Sequence, residues 1–89
     1  LSLPPDVRRL PITELGCSAG VAALGVAREL ALGQRDAVIL VLSVELCSLC
    51  LQMDDASSSD VIGSLLFADG AAAAVVAGDS VTTGPAMIA

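Results

Sequence analysis

Residues 18–32, Ser-Ala-Gly-Val-Ala-Ala-Leu-Gly-Val-Ala-Arg-Glu-Leu-Ala-Leu, read as a helix with almost no polar face, and that constrains the whole chain. Ala, Leu and Val fill nearly every side, and charge enters only near the far end, at Arg28 and Glu29. A helix that is apolar all round is a buried helix. Gly33 follows it as a C-terminal cap. Residues 37–44, Ala-Val-Ile-Leu-Val-Leu-Ser-Val, form a continuous aliphatic run that predicts a strand covered on both faces, as in a parallel sheet. Two such elements need protein layers around them. With 55% hydrophobic residues, a single aromatic (Phe67) and a mean hydropathy of +0.85, 89 residues cannot bury this much apolar surface alone. The segment is expected to pack against more polypeptide, in the same chain or a partner. Beginning at Leu1 rather than Met, it is expected to be an excerpt.

The remaining segments complete a layered pattern. Residues 1–9, with Pro4-Pro5-Asp6, read as loop, and residues 10–15 as a short strand. Residues 45–51 are expected to extend the second strand, and residues 52–60 to form a polar loop. Residues 60–67 suit a short helix with Ser59 or Asp60 near its cap, Asp69-Gly70 a turn, and residues 71–77 another buried strand. Gly84-Pro85 opens a new connection. The expected order is β-α-β-α-β, an α/β unit with helices on a mostly parallel sheet.

Charge removes several function classes. The net charge is −6, the pI is about 4.1, and Arg8, Arg9, Arg28 and Arg35 are the only cations. Neither nucleic acid nor an anionic membrane surface is an expected partner. A spanning helix needs about 20 apolar residues, and Glu45, Asp54-Asp55, Asp60, Asp69 and Asp79 interrupt every apolar run. Pro4-Pro5-Asp6 sits where the apolar core of a signal peptide would lie. Three cysteines without framework spacing suit a reducing cytoplasm.

The chemistry centres on Leu15-Gly16-Cys17-Ser18-Ala19-Gly20. A cysteine between glycines at a strand-to-helix junction is where enzymes place a thiolate nucleophile. The helix N-terminus favours negative charge, and glycine permits a sharp turn and close approach of substrate. A small buried thiol is the plainer reading. Cys47 and Cys50 form Cys-x-x-Cys, but no second pair and no histidine completes a zinc site, and the motif continues a strand pattern rather than opening a helix. On residue pattern alone they are two buried strand thiols. Phe67 reads as a core residue, and Glu45 either ends a strand or is buried with hydrogen bonds. Asp54-Asp55 and Asp60 read as a solvated loop, with no metal expected.

Three blocks in order carry a family resemblance: Gly16-Cys17-Ser18-Ala19-Gly20, Val38-Ile39-Leu40-Val41-Leu42-Ser43-Val44-Glu45, and Leu66-Phe67-Ala68-Asp69-Gly70-Ala71-Ala72-Ala73-Ala74-Val75-Val76. Together they resemble the chalcone and stilbene synthases, the type III polyketide synthases of the thiolase superfamily, over residues 10–79. Glu45-Leu46-Cys47-Ser48-Leu49-Cys50 looks more like bacterial members than plant ones. The resemblance implies part of a thiolase-like, layered α-β-α fold, with residues 1–89 a fragment of its N-terminal half and a buried helix after the nucleophile. It implies an acyltransferase that condenses malonyl-CoA, with loss of CO₂, onto an acyl-CoA starter held as a cysteine thioester. Cys17 would be the acylated nucleophile. Phe67 matches the gate between CoA tunnel and cavity, Cys47, Cys50 and Gly63 match cavity-lining positions, and Glu45 matches a structural carboxylate near the cavity. CoA thioesters are substrates, no further cofactor or metal is implied, and the parent protein would be a cytoplasmic homodimer. The family draws a catalytic His and Asn from its C-terminal half. This chain has no histidine, so alone it is not expected to turn over.

Two rivals stand beside this reading. An initiating ketoacyl-ACP synthase shares the buried-helix cysteine and a similar Phe-Gly-Asp-Gly-Ala segment, but Glu45 with the Cys47/Cys50 pair favours the first reading. A catalytically incomplete assembly module would use the apolar surface alone and tolerate Cys17→Ala.

Overall fold

The computed structural model describes residues 2–50, 58–81 and 84. A 3-10 turn, Gly16–Ser18, leads directly into α1, Ala19–Gly33. Strand β1, Val38–Glu45, is followed by a second 3-10 turn, Cys47–Cys50. Helix α2, Ser58–Leu66, and strand β2, Gly70–Ala77, complete the order.

Helix α1 falls within one residue of its expected limits, but its end is built differently. Gly33 is the last helical residue and not a left-handed cap. Gln34 is extended, and its N–H donates to the Leu30 carbonyl at 3.0 Å. A tight turn follows, with Ala37 N–H on the Gln34 carbonyl at 3.0 Å. This turn sends β1 back alongside the helix it has just left.

The second and third expected strands form, but their direction corrects the expectation. β1 and β2 pair antiparallel, from Val38 opposite Ala77 to Glu45 opposite Gly70. A continuous apolar run reports that both faces are to be covered; it carries no signal of strand direction. Residues 10–15 form no strand. Pro11 cannot donate to a ladder, and Glu14 adopts a left-handed φ of 65° that breaks extended backbone. The described order is therefore α-β-α-β. Residues 45–51 do not extend β1 as a whole: Glu45 ends it, and Leu46 accepts from the Leu49 N–H at 3.1 Å as the chain coils into the Cys47–Cys50 turn. Helix α2 begins at Ser58, so Ser59 and Asp60 fall in its first turn, whereas Gly70 is the first residue of β2 rather than part of a turn. Of the expected 52–60 loop, residues 58–60 are helical and the rest lies outside the described residues, as does most of the final segment.

Helix α1 packs on both strands. Along β1, Ile39, Val41 and Ser43 are half-buried while Val38, Leu40, Leu42 and Val44 are exposed. That alternation means one sheet face is covered and the other is bare. Ala27 at 2% exposure and Val76 at 9% are the only buried hydrophobic residues described. Helix α1 is thus not enclosed within this segment: Val21, Leu24, Leu30 and Leu32 are exposed. The Cα radius of gyration is 17.2 Å, against about 12 Å for an independently folded chain of this length. The physical reason is the one composition already indicated: one helix against two strands has too little interior for its apolar surface.

The end of the unit away from Gly16–Ser18 is fastened by polar contacts. Gly78 N–H donates to the Ala37 carbonyl at 2.9 Å, and Ser80 N–H to the Arg35 carbonyl at 3.2 Å. Arg35 clasps Asp79 with two hydrogen bonds, Nε to Oδ1 at 2.7 Å and Nη2 to Oδ2 at 2.8 Å. The guanidinium, chiefly through its hydrogen bond and less through its charge, holds the Asp79 carboxyl below its ordinary range, against the opposing effect of desolvation. Both side chains are mostly exposed, so solvent screens the pair and its contribution is modest. A depressed folded-state pKa adds stability above the unfolded value, about 3.9, and that stability is lost as pH falls through the folded value. The melting-temperature difference between wild type and Asp79→Asn should therefore be constant above about pH 5 and shrink toward zero on acidification. A difference that persists unchanged at pH 2 would remove the ion pair from the account.

Candidate active site

Cys17 lies on the Gly16–Ser18 turn at the head of α1, with a free and exposed thiol. Two left-handed residues aim it: Glu14 at φ 65° and Gly16 at φ 56°. Nothing lies within 4 Å of a Cβ built on Gly16, so backbone conformation, and not space, requires glycine there. The left-handed Glu14 is an uncommon conformation for a residue with a side chain, of the kind that surrounding structure must hold in place. Ser18 does not cap α1. Its hydroxyl donates back to the Leu15 carbonyl at 2.6 Å, closing the turn around Cys17. Neither the turn nor α1 carries an acidic residue in its first turn. The positive end of a fifteen-residue helix is left uncompensated beside the thiol. The junction is a coil-to-helix one, since no strand precedes it.

The other predicted residues come from the chain that follows β1 and precedes β2. Helix α1 and β1 run in opposite directions through the tight 34–37 turn and pack together. The head of α1 therefore lies at the same end of the unit as the end of β1. Glu45 closes β1 opposite Gly70 and is exposed in this segment, not buried. Cys47 is half-buried and Cys50 exposed, both as free thiols. They sit on a 3-10 turn instead of the expected strand. At three residues per turn, positions three apart eclipse, so the two cysteines share one side of it. Phe67 directly follows α2, with its N–H on the Gly63 carbonyl at 3.1 Å, and its side chain is 58% exposed. Within this segment it is therefore not part of the interior. Gly63 is half-buried, and a Cβ there would meet nothing within 4 Å. Helix α2 packs against no other described element, so Gly63 is joined to the group only through Phe67. Among the described residues, no group of three or more His, Cys, Asp or Glu is placed to hold a metal ion. No described helix is long and apolar enough to cross a membrane.

One residue of this end was read from sequence only as part of a turn. Asp69 accepts the Ser48 N–H at 2.7 Å on one carboxylate oxygen and the Ser48 hydroxyl at 2.6 Å on the other. Ser48 lies between the two cysteines. The hydroxyl bond first, then the backbone bond, holds the Asp69 carboxyl below its ordinary range. No local pattern announces a contact between residues 21 positions apart.

Residues 1–80 match the model of the N-terminal domain of chalcone and stilbene synthases. The chain is 45% identical over 78 residues to a 1,3,6,8-tetrahydroxynaphthalene synthase of Streptomyces peucetius subsp. caesius, covering 88% of this chain and 20% of that protein. It is 41% identical to the synthase of the same name from Streptomyces griseus, covering 88% of this chain and 21% of that protein. A phloroglucinol synthase of Pseudomonas fluorescens is 39% identical over 79 residues, 89% of this chain and 23% of that protein. No solved structure matches the chain. The segment spans about a fifth of the length of these curated relatives. With residues 1–80 matched by the domain model and three separate sequence blocks in the same order, the chain belongs to the chalcone and stilbene synthase family of type III polyketide synthases.

Proposed function

We propose that this segment supplies the nucleophile and part of the acyl cavity of a polyketide-forming condensing enzyme, whose remaining polypeptide completes a thiolase-like fold around it. The observation that carries this reading is the exposed Cys17 thiol on a left-handed turn at the head of α1, at the same end of the unit as the Cys47–Cys50 turn. In the proposed reaction the Cys17 thiolate attacks an acyl-CoA carbonyl, the C–S bond to CoA breaks, and CoA leaves as the thiol after taking a proton. Malonyl-CoA then loses CO₂, and the electron pair of the broken C–C bond attacks the Cys17 thioester. The new C–C bond forms as the Cys17 sulfur departs as thiolate, ready for another acyl group. A His and an Asn from the C-terminal half would hold the thiolate and the developing oxyanion. Phe67 is assigned to the entrance of the cavity, Cys47, Cys50 and Gly63 to its wall, and Glu45 to structural support.

The test of this reading is intact-protein mass spectrometry of the complete synthase after incubation with a panel of acyl-CoA thioesters. The expected result is a single acyl adduct on Cys17, whose mass identifies the starter. An unmodified protein whose Cys17 also resists iodoacetamide would replace the reading with a structural thiol.

The wall assignment has its own consequence. Cys50→Phe adds several heavy atoms to the space where a growing chain would lie, and the products should become shorter, read by chromatography and mass spectrometry. Products of unchanged length would remove Cys50 from the wall. The bare apolar faces of α1 and the sheet call for cover. We assign part of that cover to a second copy, and expect the complete cytoplasmic synthase to sediment as a homodimer at micromolar concentration. A monomer would overturn that assignment.

A further inference from the structure

We propose that Asp69 is a positioning residue for product and starter specificity, its two carboxylate oxygens holding Ser48 and, with it, the turn that carries Cys47 and Cys50. The proposal rests on the reading above of Cys47, Cys50 and Phe67 as cavity residues.

A four-residue 3-10 turn has little hold on its own shape, because its hydrogen bonds are poor and its first N–H groups have no partner within it. Asp69 supplies what the turn lacks. Oδ1 takes the Ser48 N–H at 2.7 Å, and Oδ2 takes the Ser48 hydroxyl at 2.6 Å. Both bonds are charge-assisted and short, and together they fix orientation as well as distance. Among the described residues, no other side-chain hydrogen bond reaches the Cys47–Cys50 turn. The far end of the clamp is equally placed. Asp69 comes two residues after Phe67 and immediately before Gly70, which pairs with Glu45. One carboxylate therefore ties the two cysteines to the segment bearing Phe67, across a separation of 21 residues. The Ser48 bonds also hold the carboxyl below its ordinary range, which favours the ionised, accepting form. Among the described residues, the side-chain hydrogen bonds of Asp69 go to Ser48 and not to Cys17. The effect of Asp69 is on where the wall stands, and not on the formation of the thioester.

The variants separate a positioning role from a merely structural one. Asp69→Ala removes both bonds. Ser48→Ala removes the hydroxyl bond alone. Asp69→Asn keeps a carbonyl for the Ser48 N–H and offers an amide that can donate to the Ser48 oxygen. In the complete synthase, Asp69→Ala should shift the ratio of long to short products by about threefold or more, and Ser48→Ala by about twofold, with Asp69→Asn near wild type. The Asp69→Ala/Ser48→Ala pair should match Asp69→Ala alone, because both changes break one unit. Acyl loading of Cys17 should persist throughout.

An unchanged product ratio in soluble Asp69→Ala, or additive effects in the double variant, overturns the proposal. Should Asp69→Ala fail to fold, Ser48→Ala decides, and an unchanged ratio there overturns it. Failure of the underlying reading looks different. A parent enzyme with no adduct on Cys17, or with a product length indifferent to Cys50→Phe, refutes the site itself and the Asp69 role with it.

Discussion

Cys17→Ala should abolish the acyl adduct and reduce polyketide formation by at least about 10³-fold, the scale seen when an enzyme loses its covalent nucleophile. The argument is one of chemistry and placement together. Alanine keeps the helix and fits the site, since Cys17 is exposed and its sulfur is engaged in no described hydrogen bond. The variant should therefore fold and melt as the parent does. What it loses is the only atom in the Gly16–Ser18 turn able to hold an acyl group as a thioester, the activated form in which carbon–carbon bond formation can follow. Ser18 is the nearest hydroxyl in sequence, but it is turned back onto the Leu15 carbonyl at 2.6 Å and is not free to substitute. Two readouts check the prediction: intact mass after acyl-CoA loading, and product formation from malonyl-CoA. A Cys17→Ala enzyme that retains turnover within tenfold would exclude covalent catalysis at this residue and restore the assembly-module reading.

Gly78→Ala should be the most damaging single substitution for stability in the described segment. Gly78 is buried where the chain leaves β2 and crosses back over Arg35. A Cβ there would lie 2.0 Å from the Arg35 carbonyl oxygen and 2.4 Å from its carbon. Those atoms are backbone, fixed by the Ser80 N–H bond to the same carbonyl and by the adjacent 34–37 turn. They cannot swing away as a side chain could. Relief requires separating the end of β2 from the start of β1, with loss of the Gly78 N–H bond to the Ala37 carbonyl at 2.9 Å. Overpacking of this kind costs about 1–3 kcal/mol, and more where the obstacle is rigid. The measurement is the thermal or denaturant midpoint of the complete synthase. Gly63→Ala makes a suitable control, because a Cβ at Gly63 meets nothing within 4 Å. Equal midpoints for Gly78→Ala and wild type would show that the close approach is absent in the assembled protein.

The candidate site was legible to different depths at different residues. Cys17 was legible because its signal is local: glycines around a cysteine, followed at once by a helical run. The left-handed conformations that aim it obey the same local chemistry at Gly16, but Glu14 gave no warning, since nothing in its residue type favours φ 65°. Cys47 and Cys50 were legible as residues of interest and misplaced as strand thiols. Glu45 interrupts the apolar run Val38–Val44 but no Gly or Pro follows before Cys50, and only the Leu46 carbonyl turning to the Leu49 N–H shows where extended backbone stops. Asp69 was illegible in its role. A contact across 21 residues depends on how β1 and β2 register, and a one-residue slip would carry Asp69 away from Ser48.

What the amino-acid order determined by itself was everything with a short range or a bulk origin. Helix α1 and strands β1 and β2 follow from apolar periodicity and β-branched runs, to within a residue or two of their ends. The need for further polypeptide follows from 55% hydrophobic residues in a chain too short to hide them. The proposal of Cys17 as nucleophile draws on the same short range, the turn chemistry of Gly16 and the helix behind it. Only the tertiary structure decided that β1 and β2 run antiparallel, that Ile39, Val41 and Val76 face α1 while Leu40 and Leu42 do not, and that Asp69 reaches Ser48. Strand direction, facing and long-range pairing are set by which distant surfaces meet and bury each other, and apolar residues attract without direction. Their sequence pattern says that they must be covered, and leaves the choice of cover to the fold.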